Sequence, residues 1–243
     1  PAEIEADGYK VSDAHDRDDQ TMTFREILDQ SSNVGISLAV EDRLGFMPLY
    51  DKIVSYGLNE PTGIDYPGEA GGYLLEGDKW SLIQSYNVSF GQGISVTPLQ
   101  MVRFYGAILN DGVAVTPHFL IAKPQIDEVP EYPTETIITD ASALDTMVSM
   151  LQTVVSDGTG RAAAVEGFSA AGKTGTAEIA SETGGYKEGY YNLDFVGFIP
   201  HSTSSLVCFV GVNEVPYERQ TTQVFSDIMT FAAERYKVVP TKE

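Results

Sequence analysis

The sequence predicts an α+β fold, in which an antiparallel sheet flanked by helices is joined to a mostly helical part. Helical spacing of apolar residues dominates residues 1–160 of the 243-residue chain, whereas residues 161–243 are typical of three strands followed by a helix. Strands joined by short connections favour antiparallel pairing. Because no repeat and no low-complexity linker divides the chain, we expect one domain with these two parts.

The first predicted elements follow an acidic start. Residues 1–20 are polar, so we expect an exposed, loop-rich segment there. Thr23 and Glu26 form the capping-box pattern of a short helix that runs to Asp29. Ser31, Ser32 and Asn33 interrupt this helix, and an apolar pattern resumes afterwards. Further helices are predicted over Phe46–Tyr56, Pro98–Leu109 after an N-cap at Thr97, Asp140–Val155 and Thr222–Tyr236.

The remaining segments are predicted as loops and strands. Residues 57–78 are rich in glycine and read as irregular loop, and residues 124–139 contain three prolines and look extended. Three strands are predicted over Phe168–Ile179, Leu193–Ile199 and Ser205–Val212. The tyrosines at 186, 190 and 191 are assigned to a surface loop between the first two strands.

Composition excludes several functions. The chain has 35 acidic against 15 basic residues and a formal net charge of −20, so phosphate backbones and anionic membrane surfaces would be repelled. The single cysteine, Cys208, cannot form an internal disulfide. His15, His118 and His201 lack the spacing of zinc ligands. We therefore expect neither metal, nor cofactor, nor nucleic acid.

The most specific short motif is Lys173-Thr174-Gly175-Thr176. Taken alone, it could be a solvated turn, but its flanking residues are apolar and strand-like. Glycine weakens a strand and usually marks the close approach of a ligand or another backbone. Two hydroxyls beside that glycine and one ammonium form a compact edge for an anion, and the set suits a carboxylate.

The same residues also match a nucleotide-binding pattern. Residues 167–174 read G-x-x-x-x-G-K-T, which is the P-loop spacing. A P-loop requires a helix after its lysine, whereas Gly175 follows Thr174 directly and no helical pattern comes next. A P-loop protein is therefore kept only as a remote alternative.

Four further strings accompany the lysine motif. They are Ser31-Ser32-Asn33 upstream of it, FGQG-x-x-x-TPLQ at residues 90–100, Gly158-Thr159-Gly160, and FVGFIP at residues 195–200. Serine acyl-transfer enzymes of the penicillin-recognising kind combine S-x-x-K, S-x-N and K-T-G elements, and Ser31-Ser32-Asn33 and Lys173-Thr174-Gly175 match the last two in order. Together these strings resemble the transpeptidase domain of penicillin-binding proteins, in particular the monofunctional class B branch.

One element of the family pattern is missing from this sequence. None of the eight lysines has a serine three residues before it, so no S-x-x-K occurs. In the family, the nucleophilic serine lies upstream of S-x-N, and this chain begins after that point. We therefore expect the chain to lack its nucleophile, to be inactive alone and to need a companion N-terminal fragment that carries S-x-x-K.

The resemblance implies roles for the matching residues. Ser31 would relay a proton to the leaving nitrogen, and Asn33 would hold the donor peptide's amide and help position the missing lysine. Lys173 would add positive potential, while Thr174 and Thr176 would bind the substrate's carboxylate. The Thr176 N–H would form half of the oxyanion hole, and Gly175 would let an extended peptide lie against the strand.

The resemblance also implies a substrate and a location. The complete protein would be a peptidoglycan D,D-transpeptidase that acts on stem peptides and is acylated by β-lactam antibiotics. It would work outside the cytoplasm, held at the cell membrane by an N-terminal anchor not present in this sequence. A penicillin-sensing receptor domain and a serine β-lactamase remain alternatives, since both share these motifs.

Overall fold

The computed structural model describes residues 1–181, 185–217 and 221–241. Residues 242–243, the end of the predicted second part, lie outside this range. The described residues form seven helices and seven strands. The helices are α1 (Phe24–Asp29), α2 (Asn33–Ala39), α3 (Phe46–Ser55), α4 (Leu82–Ser89), α5 (Pro98–Leu109), α6 (Ala141–Ser156) and α7 (Thr221–Tyr236). The strands are β1 (Glu3–Ala6), β2 (Tyr9–Ser12), β3 (Val113–Val115), β4 (Thr134–Thr136), β5 (Ala171–Ala180), β6 (Tyr186–Phe198) and β7 (Val207–Val215).

The central feature is an antiparallel sheet in the order β5-β6-β7, as the α+β prediction requires. Helix α7 covers one face, where Phe225 meets Phe195 at a centroid distance of 4.7 Å. Helices α5 and α6 cover the other face, where Tyr105 and Leu151 pack with Val196. Side chains of one strand alternate between the two faces, so both cores take residues from β6. The predicted antiparallel sheet flanked by helices is confirmed.

The acidic start of the chain contains a hairpin, so the predicted loop-rich segment is wrong for residues 3–12, whereas residues 13–20 form no helix or strand and are mostly exposed, as predicted. Strands β1 and β2 pair in antiparallel register, and Asp7 and Gly8 turn the chain with φ values of 52° and 81°. Ala6 and Val11 are buried in a cluster with Val34. Each strand is only four residues long and buries a single side chain, so the alternation is too short to be predicted from sequence.

Helices with explicit capping signals lie where the sequence predicts them. Thr23 and Thr97 each form a capping box, and the Asp140 side chain accepts from Ala143 N. Helix α4 was not predicted, because its mixed composition lacks a clear apolar stripe. None of the helices in the described ranges combines the length and apolar composition that a bilayer-spanning helix needs.

The predicted strands are present, but their limits differ. Strand β5 begins at Ala171 rather than Phe168, and β6 begins at Tyr186, seven residues before the predicted start. The tyrosines assigned to a surface loop therefore belong to β6. The segment predicted to be extended contains a 3-10 turn at Pro124–Ile126 and strand β4, which pairs with β3.

Candidate active site

The ammonium of Lys173 joins the two predicted motifs. Its Nζ donates to Ser31 Oγ at 2.8 Å, to the Thr174 carbonyl at 3.0 Å and to Thr174 Oγ1 at 3.2 Å. These contacts use all three donors of the ammonium. The fold thus brings together two motifs that lie 142 residues apart in the chain.

Ser31 owes its position to the way α1 ends. The N–H of Ser32 donates to the Ile27 carbonyl at 2.9 Å, and the N–H of Ser31 donates to the Leu28 carbonyl at 3.2 Å. These two bonds form a Schellman motif, whose left-handed position usually holds glycine. Ser31 occupies it with φ of 55°, so a side chain stands where glycine would be less strained. The motif directs this serine towards β5.

The next two residues of the motif begin α2. Ser32 is buried, and its Oγ caps the helix by accepting from Gly35 N at 2.9 Å. Asn33 is the first helical residue, and its Nδ2 donates to the Ser12 carbonyl at 3.0 Å. The amide of Asn33 is therefore oriented by β2, and no described residue bonds to its Oδ1.

Asp13 holds this turn in place and was missed by sequence reasoning. Its carboxylate accepts from Ser32 Oγ at 2.8 Å and from Val34 N at 3.0 Å, so it binds the residues on both sides of Asn33. Arg17 pairs with the same carboxylate, and both side chains are largely buried. In sequence, Asp13 is one of several acids in a polar stretch, and no local signal distinguishes it.

A second turn supports the site from α6. The N–H of Thr159 donates to the Asp29 carbonyl at 3.0 Å, and a side chain at Gly158 would lie 2.4 Å from that oxygen. This contact needs glycine. Thr159 Oγ1 then lies 3.0 Å from Thr174 Oγ1. The Gly158-Thr159-Gly160 string thus links the end of α1 to the K-T-G strand.

The remaining K-T-G residues lie along β5. Thr174 and Thr176 are two positions apart and so share a face, and Thr176 is exposed. Gly175 lies opposite Asp194 of β6. A Cβ at Gly175 would lie 2.4 Å from Asp194 Oδ1, so this glycine leaves room for a carboxylate. Asp194 was also missed by sequence reasoning.

Burial controls the electrostatics of the site. It lowers the pKa of Lys173 to about 8, against the opposing effect of the Asp194 charge. Burial also raises the pKa of Asp194, and the Lys173 charge opposes that shift. Lys173 is therefore a cation whose charge is lost a little above neutral pH.

The strand geometry contradicts the nucleotide-binding alternative. Lys173 lies inside β5, and the strand continues to Ala180 where a P-loop would begin a helix. Gly172 and Gly197 are paired in the ladder between β5 and β6. Phosphate binding by a P-loop depends on a helix N-terminus after the lysine, which this segment does not form.

Comparison with known families identifies the fold. The family described as "Penicillin binding protein transpeptidase domain" matches residues 3–230. The chain belongs to the penicillin-binding protein transpeptidase family. The prediction of the class B branch is confirmed as well.

Individual relatives support this assignment. The chain is 35% identical over 199 residues to "Stage V sporulation protein D" of Bacillus subtilis, covering 79% of this chain and 30% of that protein. It is 33% identical over 246 residues to "Probable peptidoglycan D,D-transpeptidase PbpC" of Pseudomonas aeruginosa, covering 99% of this chain and 42% of that protein. The chain thus spans less than half the length of these curated relatives, 30% of one and 42% of the other.

A solved structure of the family matches the whole chain. Penicillin-binding protein 3 of Mycobacterium tuberculosis, in complex with ampicillin, superposes with a TM-score of 0.88 at 30% identity. The match covers 100% of this chain and 57% of that one. The antiparallel sheet and the surrounding helices are therefore those of a penicillin-binding transpeptidase domain.

The family motif at residues 90–100 has a structural part in this arrangement. Gln92 Nε2 donates to the Glu178 carbonyl at 3.2 Å and so ties the FGQG loop to β5. Gln100 is buried, and its Nε2 donates to the carbonyls of Glu60 at 2.6 Å and Gly71 at 2.9 Å. The motif fastens the long glycine-rich loop and the K-T-G strand to α5.

Proposed function

We propose that this chain supplies the S-x-N and K-T-G elements of a peptidoglycan D,D-transpeptidase, as the C-terminal part of one transpeptidase domain. The reaction is acyl transfer through a serine ester, which divides one difficult step into two. β-Lactams acylate the same serine as substrate mimics. The observation that carries the proposal is the 2.8 Å bond between Lys173 Nζ and Ser31 Oγ, because it assembles both motifs at one strand.

The edge of β5 is the proposed substrate-binding surface. Among the described strands, β5 pairs only with β6, so its other edge is open to an extended stem peptide. Lys173, Thr174 and Thr176 take the terminal carboxylate of the peptide there. The backbone N–H of Thr176 forms half of the oxyanion hole, and losing one such donor costs about 3–4 kcal/mol of barrier.

The S-x-N turn handles the proton and the amide. Ser31, held by Lys173, relays a proton to the leaving nitrogen. Asn33 uses Nδ2 on the Ser12 carbonyl, which fixes the direction of its free Oδ1. That oxygen is available to accept from the lysine of S-x-x-K, and the position also suits contact with the donor peptide's amide.

The nucleophile comes from a companion segment that carries S-x-x-K, and this chain alone is inactive. The sequence contains no S-x-x-K of its own. Strand β7 also supports a missing neighbour: within the described residues it pairs only with β6, while Val207, Cys208, Phe209 and Val210 are all half-buried. A free edge flanked by apolar residues on both faces is a place for another strand.

The proposed location follows from the substrate. Peptidoglycan stem peptides are cross-linked outside the cytoplasm, so the complete polypeptide acts there and is held at the cell membrane. The charge of −20 is compatible with an exposed surface there. A leader or anchor is tested by fractionating cells that express the complete polypeptide.

The test of the reaction uses a polypeptide that contains this chain and the upstream S-x-x-K segment. We expect it to form cross-linked dimers from a synthetic stem pentapeptide. We also expect its penicilloyl ester to last much longer than one cycle of transpeptidation. Rapid hydrolysis of a chromogenic β-lactam would instead favour the β-lactamase alternative. Acylation without any cross-linking would favour the sensor alternative.

A further inference from the structure

Asp194 is a half-buried carboxylate that the proposed reaction does not use. It lies on β6 next to Phe195, which is fully buried, and no described residue donates a hydrogen bond to it. A carboxylate withdrawn from water without donors is costly unless a cation lies nearby. Its place in the site therefore requires an explanation.

The strand register directs Asp194 at the K-T-G strand. Residues directly opposite in a ladder share a face of the sheet, so Asp194, Gly175 and Lys173 lie on one face. The carboxylate oxygens lie 2.4 Å and 2.7 Å from where a Cβ of Gly175 would be. Any larger residue at position 175 would displace the carboxylate.

We propose that Asp194 is a positioning residue of the K-T-G strand, which keeps the Lys173 ammonium charged and bonded to Ser31. It acts through Lys173 and does not touch the substrate. This inference rests on the proposed function, since it concerns how Lys173 is maintained for that reaction. It also assigns Gly175 a second task, which is to admit the Asp194 carboxylate.

The surrounding charges single out this pair. Of the elements packed against β5, helix α6 brings only the exposed Asp145, and β6 brings Lys187 and Glu188 at its exposed end. Asp194 is the charge that opposes the lowered pKa of Lys173. Tyr105 of α5 is a second titratable neighbour of Asp194. Burial raises the pKa of Tyr105, and the charge of Asp194 raises it further. The remaining neighbours of the ammonium, Ser31 and Thr174, are neutral.

The proposal predicts that the pH profiles of penicillin acylation for wild type and Asp194→Asn cross. At pH 6, Lys173 is charged with or without Asp194, so Asp194→Asn removes only an anion that repels the substrate carboxylate. Acylation by penicillin should then be equal to wild type or up to about threefold faster. Without Asp194, Lys173 loses its proton at a lower pH. The decline of the acylation rate at alkaline pH should therefore begin roughly one pH unit lower than in wild type. At pH 8.5 the variant should be several-fold slower.

The first experiment measures penicillin acylation from pH 6 to 9 in the polypeptide that includes the upstream segment. Wild type is compared with Asp194→Asn and with Glu188→Gln, which removes an exposed charge from the same strand. We expect crossing profiles for Asp194→Asn and an unchanged profile for Glu188→Gln. A uniform loss at every pH would overturn the proposal, because a packing defect has that effect. Coincident profiles would overturn it too.

The second experiment titrates Lys173 by NMR in this chain labelled with [13C]lysine, with Lys173→Arg to assign the signal. Asp194→Asn should move the midpoint roughly one unit lower, and an unmoved midpoint would contradict the proposal. This readout needs no acylation. If wild type is not acylated at any pH while the midpoint still moves, the proposed function fails and the inference about the pair stands.

Discussion

Ser31 shows at the scale of one residue how the family motif is built on backbone geometry. The left-handed position after α1 would be filled at lower cost by glycine, but glycine has no hydroxyl for Lys173. The strain is of order 1–2 kcal/mol and is offset by the surrounding contacts. The conformation that strains the chain also presents Oγ to β5.

Two substitutions at this position separate strain from chemistry. Ser31→Gly should raise the free energy of unfolding by about 1 kcal/mol, because it relieves the left-handed conformation. Ser31→Ala keeps the strain and should not stabilise. Both remove the hydroxyl and should slow acylation of the complete polypeptide by roughly 100-fold. Urea unfolding and penicillin kinetics check this, and equal stabilities of the two variants would count against the account of strain.

Lys173 gives a prediction about pH and stability. Burial lowers its pKa from 10.5 to about 8, so between these values the unfolded chain binds a proton that the folded chain has released. The contribution of this group to stability therefore rises with pH across that window. The stability advantage of Lys173→Met over wild type should shrink between pH 7 and 9.5 in urea unfolding. The exposed Lys187→Met serves as control, and a pH-independent difference for Lys173→Met would refute the burial argument.

At the scale of elements, the turn between α1 and α2 is stabilised by residues from other parts of the chain. Asp13 accepts hydrogen bonds from Ser32 and Val34, and Thr159 N–H donates to the last carbonyl of α1. The motif therefore depends on a hairpin before it and a helix long after it.

Asp13→Ala tests this stabilisation. It leaves the Arg17 guanidinium and the Ser32 hydroxyl without their partner, so we expect a loss of about 2–3 kcal/mol in the free energy of unfolding. Acylation of the complete polypeptide should fall as well, because Asn33 is no longer held on both sides. Asp16→Ala, an exposed acid in the same segment, is the matched control. Equal melting curves for the two variants would show that Asp13 does not hold the turn.

Elements differ in how much of their stabilisation is encoded locally, and this decides which of them the sequence could predict. Helices with their own capping signals, such as α1, α5 and α6, were located because those signals are local. The β1–β2 hairpin and α4 were missed because neighbours from elsewhere in the chain complete their burial. The S-x-N and K-T-G residues were singled out because they resemble the motifs of a known family. Asp13 and Asp194 were not, since each acts through a partner that only the fold brings close.

At the scale of the whole molecule, the described residues fold around a three-stranded sheet in which β5 and β7 each pair only with β6. The edge at β5 presents the K-T-G residues, and the edge at β7 has half-buried apolar side chains and no described partner strand. The proposed substrate would occupy the first edge and the companion segment the second. The central claim is that the acylated serine is supplied from outside this sequence.

The most direct measurement is the intact mass of this chain after incubation with penicillin, alone and mixed with the separately expressed upstream segment. We expect no adduct on residues 1–243 in either sample. In the mixture, one penicilloyl group should appear on the upstream segment, and peptide mapping should locate it at the serine of S-x-x-K. A penicilloyl adduct on this chain alone would contradict the claim, because the nucleophile would then lie within these 243 residues.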